Sequence, residues 1–322
     1  MGSAAGPSGN RGAGAPLVAI VGATGTGKSE FALALAEALG GAAAAEIVGA
    51  DAMQLYRGMD VGTAKVPVAE RHGIPHHLLD VLEVTEEASV AAYQPAARAA
   101  IEAVVVAAKT PILVGGSGLY VSAAIYDFRF PARDPELRAR LEDELAALGP
   151  GVLFQRLRQR DPVTAERIDP ANGRRVMRAL EVLELDETGH GAALPDEPRR
   201  WRPTLIIGLS TPRDILVERL DRRVERMWAN GMLDEVQRLR EFGIEQGVTA
   251  NRAIGYAQAL AQLRGEATEA AAIAQTQALT RRYARRQVSW FRRYPGAVWL
   301  DTSVMTPAER VRAAVDRLET WE

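Results

Sequence analysis

The chain contains no cysteine, which excludes disulfides, thiolate zinc sites, iron–sulfur clusters and a cysteine nucleophile. It also has no run of about 20 uninterrupted apolar residues, as a transmembrane helix would require. Residues 1–15 are mainly Gly, Ala, Ser and Pro, and they lack the apolar run of a secretory signal. We therefore expect residues 1–15 to form a disordered tail on a soluble, cytoplasmic protein.

The remaining composition is that of an ordinary globular protein. Hydrophobic residues make up 47% and charged residues 25% of a chain of 322 residues, enough to bury a core without covalent staples. This length predicts two domains, or one core with a large insertion. The formal net charge is −2, so a nucleic-acid partner would have to be recognised by a local basic patch.

A phosphate-binding motif follows the first predicted strand. Residues 17–21 form an apolar, mostly β-branched run typical of a buried parallel strand, and an Ala/Leu-rich helix is predicted over 31–39. Between them the sequence matches G-x-x-x-x-G-K-[ST], in which backbone amides and a lysine surround phosphate oxygens and a hydroxyl reaches Mg²⁺. The motif predicts a diphosphate or polyphosphate ligand with Mg²⁺, without specifying ATP. Its residues are Gly22, Ala23, Thr24, Gly25, Thr26, Gly27, Lys28 and Ser29.

Two further predicted strands end in polar or glycine-rich turns. Asp51 follows the run 46–50, and Ser117 lies in the Gly-Gly-Ser-Gly turn after the run 109–114. The carboxyl ends of parallel strands face one ligand crevice, so Asp51 is expected beside the phosphate loop. From local sequence alone, a helix N-cap explains Asp51 equally well. With a fourth strand over 204–209, the pattern predicts an α/β fold with a parallel sheet.

No strand is predicted between residues 128 and 202, where helices alternate with breakers. We expect this segment to be a helical insertion domain within an α/β core formed by 16–127 and 203–322. The last predicted helix of the insertion (173–185) carries basic residues that could meet a phosphate backbone, although the pattern alone favours a solvated helix face. These residues are Arg174, Arg175 and Arg178.

The helix after the fourth strand places one arginine at the edge of an apolar stripe. We predict that Thr211 caps this helix and that Pro212 occupies its first position. At 100° per residue, Arg223 lies about 20° from the apolar Leu216. An arginine half turned towards the interior needs an anionic partner, either a nearby carboxylate or a ligand phosphate.

The segment 280–294 carries six arginines and no acidic residue. On a helical wheel the arginines span about 140° of one face, and Tyr283, Trp290 and Tyr294 fall opposite. A solvated face normally interleaves acids with bases, so we interpret the stripe as a contact surface for nucleic acid. The arginines are Arg281, Arg282, Arg285, Arg286, Arg292 and Arg293.

Together with the phosphate loop, several other motifs resemble those of the bacterial tRNA dimethylallyltransferases, the tRNA isopentenyltransferase family. The resemblance covers about residues 16–302, and several of the motifs are more specific than a phosphate loop alone. They are DAMQLYRGMD at 51–60, VGTAK at 61–65, IPHHLLD at 74–80, LVGGSGLY at 113–120, RRVMRALE at 174–181, RAIGY at 252–256 and RRQVSW at 285–290.

The resemblance implies a P-loop NTPase-like core that binds dimethylallyl diphosphate in place of a nucleoside triphosphate. It implies transfer of the dimethylallyl group to the exocyclic amine of the adenosine 3′-adjacent to the anticodon in tRNA, with release of diphosphate. The residues fit this activity, because a phosphate loop with Mg²⁺ can hold a leaving group on which charge develops. The implied partners are dimethylallyl diphosphate and the tRNA anticodon stem-loop, and nothing in the sequence demands more than a monomer.

The resemblance also implies roles for individual residues. Asp51 matches the general base for the adenine amine, Gln54 matches the residue that reads the flipped base, and Ser29 matches the Mg²⁺ ligand. Thr24, Lys28 and Arg223 match diphosphate-binding positions, and Thr24 and Arg223 are also expected to act in catalysis. The positions implied to contact tRNA are Asp51, Ala52, Met53, Gln54, Ser117, Arg138, Arg174, Arg175, Val176, Met177, Arg178, Arg252, Ala253, Ile254, Gly255, Tyr256 and Ala257.

Three residues depart from the commoner family pattern, and other function classes stay open. Ala23, Ala52 and Ser117 stand where Pro, Ser and Thr are usual; none of these changes removes a group needed for the chemistry. A P-loop small-molecule kinase, or a prenyltransferase acting on free adenine nucleotides, would leave the arginine stripe without a role. A non-catalytic RNA-binding protein with a nucleotide switch would leave Asp51 and the turn at Ser117 without one.

Overall fold

The computed structural model describes residues 16–130, 134–185 and 199–321, so the predicted tail at 1–15 lies outside the described residues. The chain divides into two compact units. The core unit comprises Met1–Ile125 and Trp201–Glu322, and the helical unit comprises Tyr126–Arg200. The insertion predicted at 128–202 corresponds in the structure to a segment that begins and ends two residues earlier.

The core unit is built on one six-stranded sheet in which every pair of neighbouring strands is parallel. The strand order is β3-β2-β4-β1-β5-β6. The mixed α/β architecture predicted from the sequence is confirmed, with two short edge strands, β3 and β6, that the sequence did not predict. The strands are β1 Leu17–Gly22, β2 Ala45–Gly49, β3 His76–His77, β4 Thr110–Gly115, β5 Thr204–Ser210 and β6 Val298–Asp301.

Helices connect and cover the strands of the core unit. Strand β1 is buried along its whole length because β4 and β5 pair with it on either side, which explains its uninterrupted apolar sequence. Helix α1 begins at Lys28, so its first turn contains the last two residues of the phosphate-binding motif. The helices are α1 Lys28–Ala38, α2 Val90–Val106, α3 Gly118–Ile125, α7 Arg213–Ala229, α8 Met232–Glu241, α9 Tyr256–Leu263, α10 Glu269–Phe291 and α11 Pro307–Glu319.

Helix α7 begins one residue later than predicted. Its N-cap is Pro212 and it has no side-chain cap. Thr211, the predicted cap, instead forms a 2.6 Å hydroxyl–hydroxyl hydrogen bond with Thr302, which follows β6. The prediction was wrong because a contact with a distant segment, which local sequence does not reveal, replaces the local cap.

The helical unit consists of α4 Pro135–Arg160, α5 Pro162–Glu166 and α6 Gly173–Leu185. Helix α4 is interrupted at Gly149, whose φ of +76° is non-helical and which precedes Pro150. Val176 and Met177 on α6 are 0% and 2% exposed in the core of this unit. Their side chains therefore pack the helices together, so the predicted tRNA contact at these two positions would have to be made by the backbone.

Candidate active site

The phosphate loop joins β1 to α1 through three glycines with positive φ. The φ angles are +148° at Gly22, +82° at Gly25 and +83° at Gly27. A Cβ atom at Gly22 would lie 2.6 Å from the Leu209 carbonyl oxygen, and one at Gly25 would lie 2.9 Å from Cδ2 of Leu220. The backbone conformation favours glycine at all three positions, and the close approach to β5 and α7 adds a steric reason at Gly22 and Gly25.

Lys28 occupies the first turn of α1 and folds back over the loop. Its Nζ donates a 2.8 Å hydrogen bond to the Ala23 carbonyl oxygen. Burial lowers the pKa of Lys28 to about 8, opposed by the negative charge of Asp51 and assisted by the positive charge of Arg223. A lysine with this pKa is mostly protonated at pH 7 and loses its proton as the pH rises through 8, and an incoming phosphate would favour its charged form.

Arg223 points from α7 towards the phosphate loop, as its position on the helical wheel predicts. Its Nη1 donates a 2.9 Å hydrogen bond to the Thr24 hydroxyl, and its Nη2 donates a 3.3 Å hydrogen bond to the Thr63 carbonyl oxygen. Burial lowers the pKa of Arg223, whereas the negative charge of Asp51 raises it. The neighbouring Arg222 is exposed and pairs with Glu218 on the same helix.

Asp51 lies directly after β2, beside the phosphate loop. Its Oδ1 accepts a 3.0 Å hydrogen bond from the Met53 amide. The residues that follow form a turn rather than a helix, so the interpretation of Asp51 as a helix N-cap is wrong. Its negative charge raises the pKa values of Lys28, Arg223 and Tyr283.

The glycine-rich turn after β4 contacts the residue that follows Asp51. The Ser117 hydroxyl accepts a 3.1 Å hydrogen bond from the Ala52 amide and lies 3.5 Å from the Tyr283 hydroxyl. Burial, together with the nearby Asp51 carboxylate, raises the pKa of Tyr283 to about 12. Ser117 thus holds the backbone next to Asp51 in place.

Many of these groups line one cavity of about 300 Å³ in the core unit. Its walls combine cationic, hydroxyl and apolar groups with the single carboxylate of Asp51. The predicted site residues that line it are Thr24, Asp51, Ala52, Met53, Ser117, Arg223, Arg252, Ala253, Ile254, Tyr256 and Arg286. Residues that the sequence did not single out for the site also line it, among them Gly62, Thr63, Thr276, Thr280 and Tyr283.

Some predicted residues lie beside this cavity without lining it. The Gln54 amide donates a 3.2 Å hydrogen bond to the Thr63 carbonyl oxygen, the same oxygen that Arg223 contacts. Gly255 is the N-cap of α9.

A second cavity of about 320 Å³ is lined by Gly22, Ala23 and Thr26 of the phosphate loop together with residues of β5, α7 and α10.

A buried carboxylate that the sequence did not single out orders the wall formed by residues 60–63. Glu235 on α8, which is 2% exposed, accepts hydrogen bonds from the backbone amides of Asp60, Val61 and Gly62. It also accepts a 2.6 Å hydrogen bond from the Tyr256 hydroxyl. Burial and the charge of Glu235 raise the pKa of Tyr256 well above its ordinary value, so Tyr256 remains a neutral donor.

The basic face of α10 is exposed except at its first arginine. Arg282, Arg285 and Arg286 are exposed. Arg281 instead forms a 2.6 Å ion pair with Asp221 of α7. The segment itself contains no acidic residue, and at Arg281 the neighbouring helix α7 supplies the carboxylate.

The predicted arginines of the helical unit fall into two groups. Arg174 and Arg175 are exposed at the start of α6. Arg138 and Arg178 both lie near the Glu181 carboxylate, at 3.5 Å and 2.7 Å, and the Glu181 side chain is fully buried. Arg138 and Arg178 therefore balance the buried charge of Glu181, and both arginine side chains are partly exposed.

Comparison with known proteins identifies the family. A sequence model described as IPP transferase matches residues 54–294. The chain belongs to the IPP transferase family. It is 59% identical over 287 residues to a tRNA dimethylallyltransferase of Clavibacter sepedonicus, covering 89% of this chain and 93% of the relative. It is 62% identical over 266 residues to one of Leifsonia xyli subsp. xyli, covering 83% of this chain and all of the relative.

Solved structures of IPP transferase relatives share the fold. A full-length tRNA isopentenylpyrophosphate transferase from Bacillus halodurans aligns with a TM-score of 0.68 at 36% identity, covering 94% of this chain and 97% of that protein. A eukaryotic dimethylallyltransferase acting on tRNA aligns with a TM-score of 0.78 at 27% identity, covering 94% of this chain and 78% of that protein. None of the helices that the structure describes meets the length and hydropathy needed to cross a membrane.

Proposed function

We propose that the cavity beside the phosphate loop is where this IPP transferase family member carries out dimethylallyl transfer to tRNA. The acceptor is the exocyclic amine of the adenosine 3′-adjacent to the anticodon, and diphosphate is released. The observation that carries this proposal is that Thr24 and Arg223 line the same cavity as Asp51. The groups that would hold the diphosphate and the carboxylate that would accept the amine proton therefore face one cavity. The allylic carbon and the adenine amine can both be brought into it.

The chain's own residues account for the two halves of the reaction. The phosphate-loop amides, Lys28 and Arg223 hold the diphosphate, and these contacts strengthen as negative charge grows on the departing oxygen. Asp51 accepts the proton from the amine that attacks the allylic carbon, and Gln54 lies near enough to the cavity to read the displaced base. Thr24 positions the Arg223 guanidinium through its hydroxyl.

The donor set at the start of α1 fits Mg²⁺. Mg²⁺ is commonly held by one or two protein oxygens together with substrate phosphates and waters, and the Ser29 hydroxyl in the first turn of α1 supplies one such oxygen. The described residues contain no group of three His, Cys, Asp or Glu side chains that would form a dedicated metal cage. Bound Mg²⁺ would neutralise part of the charge on the diphosphate.

Exposed basic residues in both units supply surfaces for the anticodon stem-loop. On the core unit these are Arg252 and Arg286 at the cavity, with Arg282 and Arg285 on α10. On the helical unit they are Arg174 and Arg175, with the partly exposed Arg138 and Arg178. We infer that the protein acts as a monomer, since Thr24, Asp51 and Arg223 of one chain already face one cavity.

A label-transfer experiment tests the proposal against its alternatives. The protein is incubated with Mg²⁺, labelled dimethylallyl diphosphate and, in separate reactions, undermodified tRNA or AMP. We expect label in tRNA and none in AMP. Label in AMP alone would indicate an enzyme of free nucleotides, and label in neither would contradict the proposed activity.

A further inference from the structure

The side chain of Gln287 joins two loops of the cavity from the inside of the protein. Gln287 lies on the buried face of α10 and is only 3% exposed. Its Oε1 accepts a 2.9 Å hydrogen bond from the Thr24 amide of the phosphate loop. Its Nε2 donates a 2.7 Å hydrogen bond to the Gly116 carbonyl oxygen in the turn after β4. A single side-chain amide thus connects the loop after β1 with the turn after β4.

The residues around Gln287 leave room for its side-chain amide between the two loops. A Cβ atom at Gly116 would lie 2.5 Å from Gln287 Nε2, so the turn can approach the amide only because residue 116 is glycine. Both polar atoms of the Gln287 amide are therefore paired with backbone groups, one in each loop.

Thr24 is held at both of its polar groups by different helices. Gln287 on α10 accepts from its backbone amide, and Arg223 on α7 donates to its hydroxyl. A phosphate loop normally turns its amides towards the bound phosphate, but here the Thr24 amide is already paired with protein. This pairing fixes the backbone at Thr24 and aims its hydroxyl at the guanidinium.

We propose that Gln287 is a positioning residue that holds Thr24 so that the phosphate loop and Arg223 are arranged for the diphosphate before it binds. The inference rests on the proposed function of this cavity. Gln287 does not contact the diphosphate; it acts through Thr24. Its place on α10 also links the diphosphate site to the helix whose opposite face carries Arg282 and Arg285.

The test compares Gln287→Met, which keeps the volume but removes both hydrogen bonds, with Gln277→Met as the matched control. Gln277 is on the same helix and hydrogen-bonds to the Asp221 carbonyl oxygen and to Glu225, away from the loop. We expect Gln287→Met to weaken the binding of inorganic pyrophosphate with Mg²⁺ and to lower kcat/KM for dimethylallyl diphosphate, each by about 10- to 100-fold. The KM for tRNA should change little, and Gln277→Met should behave as wild type.

A double-mutant cycle shows whether Gln287 acts through the Thr24–Arg223 contact. If it does, Gln287→Met should have a clearly smaller effect on pyrophosphate affinity when Arg223 is already alanine. Multiplicative effects in the double variant would overturn the inference, as would wild-type pyrophosphate affinity in Gln287→Met. Wild-type protein that fails to bind pyrophosphate would overturn the diphosphate site itself, so the two failures are distinguishable.

A measurement on the wild-type chain covers the case in which Gln287→Met does not fold. Hydrogen exchange of the ligand-free protein should show a Thr24 amide that is protected, because Gln287 accepts its hydrogen bond. Exchange of the Thr24 amide at the rate of an unprotected loop amide would contradict the inference.

Discussion

The guanidinium of Arg223 and the hydroxyl of Thr24 are hydrogen-bonded at 2.9 Å although 199 residues separate them in the chain. The contact ties α7 to the phosphate loop and fixes a planar, doubly donating cation at the edge of the cavity. Arginine suits this position because its fork can bond two phosphate oxygens at once. The proposed diphosphate site thus includes a side chain from a helix in the second half of the chain.

Arg223→Ala should lower both kcat and the affinity for dimethylallyl diphosphate, because the contact strengthens as the leaving group gains charge. We expect a combined loss of about 2–4 kcal/mol in kcat/KM, measured by steady-state kinetics. Arg223→Lys should recover only part of the loss. The control is Arg222→Ala, since Arg222 is exposed and pairs with Glu218; equal damage in both variants would contradict the assignment.

Asp51→Asn should retain pyrophosphate and tRNA binding but lose most turnover. Removing a general base typically costs about 10²–10⁴-fold in rate, and the amide keeps the size of the side chain. Single-turnover kinetics with saturating substrates measure the step directly. A near wild-type rate would show that Asp51 has only a structural role.

Removing the exposed arginines Arg282 and Arg285 together should raise KM for tRNA and flatten its salt dependence. Each lost phosphate contact should reduce the log–log salt slope by roughly 0.7–0.9. Affinity for dimethylallyl diphosphate should hardly change. Arg281→Ala is the control on the same helix. Because the Arg281 charge is already paired with Asp221, this substitution should change the salt slope for tRNA less. An unchanged slope in the double variant would mean that this face does not meet RNA.

The pKa of Lys28, lowered to about 8, predicts a decline in kcat/KM for dimethylallyl diphosphate as pH rises through 8. Only the protonated lysine attracts the diphosphate, and kcat/KM reports the free enzyme. Bound diphosphate favours the protonated form, so the decline in kcat should occur at higher pH. In Lys28→Arg the group stays charged, and whatever activity remains should lose this alkaline limb. If wild type and Lys28→Arg showed the same alkaline decline in kcat/KM, the decline would have to come from a group other than Lys28.

Tyr256→Phe should destabilise the fold, because it removes a donor to the buried Glu235 carboxylate. Hydrogen bonds to charged groups contribute about 1.5–3 kcal/mol and neutral ones about 0.5–1.5 kcal/mol. Tyr93→Phe, which removes a buried hydrogen bond to the neutral Gly49 carbonyl oxygen, should therefore cost less. Urea unfolding of both variants measures the difference, and equal or reversed costs would contradict this account of Glu235.

The sequence predicted the parts of the fold and site that local pattern controls. The phosphate loop, the direction of Arg223 and the position of Asp51 at a strand end follow from motif, helical periodicity and strand order. Strand β3 has two residues and β6 has four, too few for a pattern to be recognised. These edge strands form because a neighbouring strand already presents free hydrogen-bonding groups.

Residues whose roles depend on distant contacts could not be predicted. Glu235 and Gln287 look like ordinary polar helix residues, and only the folded chain brings them to residues 60–62 and to Thr24. Val176 and Met177 lie in a stretch that the family resemblance implies as a whole to contact tRNA, whereas their side chains are buried. Their apolar character on a helix with exposed Arg174 and Arg175 already indicated a buried face.

The most direct test of the central claim is single-turnover transfer from labelled dimethylallyl diphosphate to an anticodon stem-loop, followed by nucleoside analysis. Two stem-loops are compared, one with adenosine 3′-adjacent to the anticodon and one with purine riboside, which lacks the exocyclic amine. The account predicts that wild-type protein binds both but places one dimethylallyl group on the adenosine alone, and that Asp51→Asn transfers almost none. Label on the purine riboside stem-loop, or on another nucleoside of the adenosine stem-loop, would contradict it.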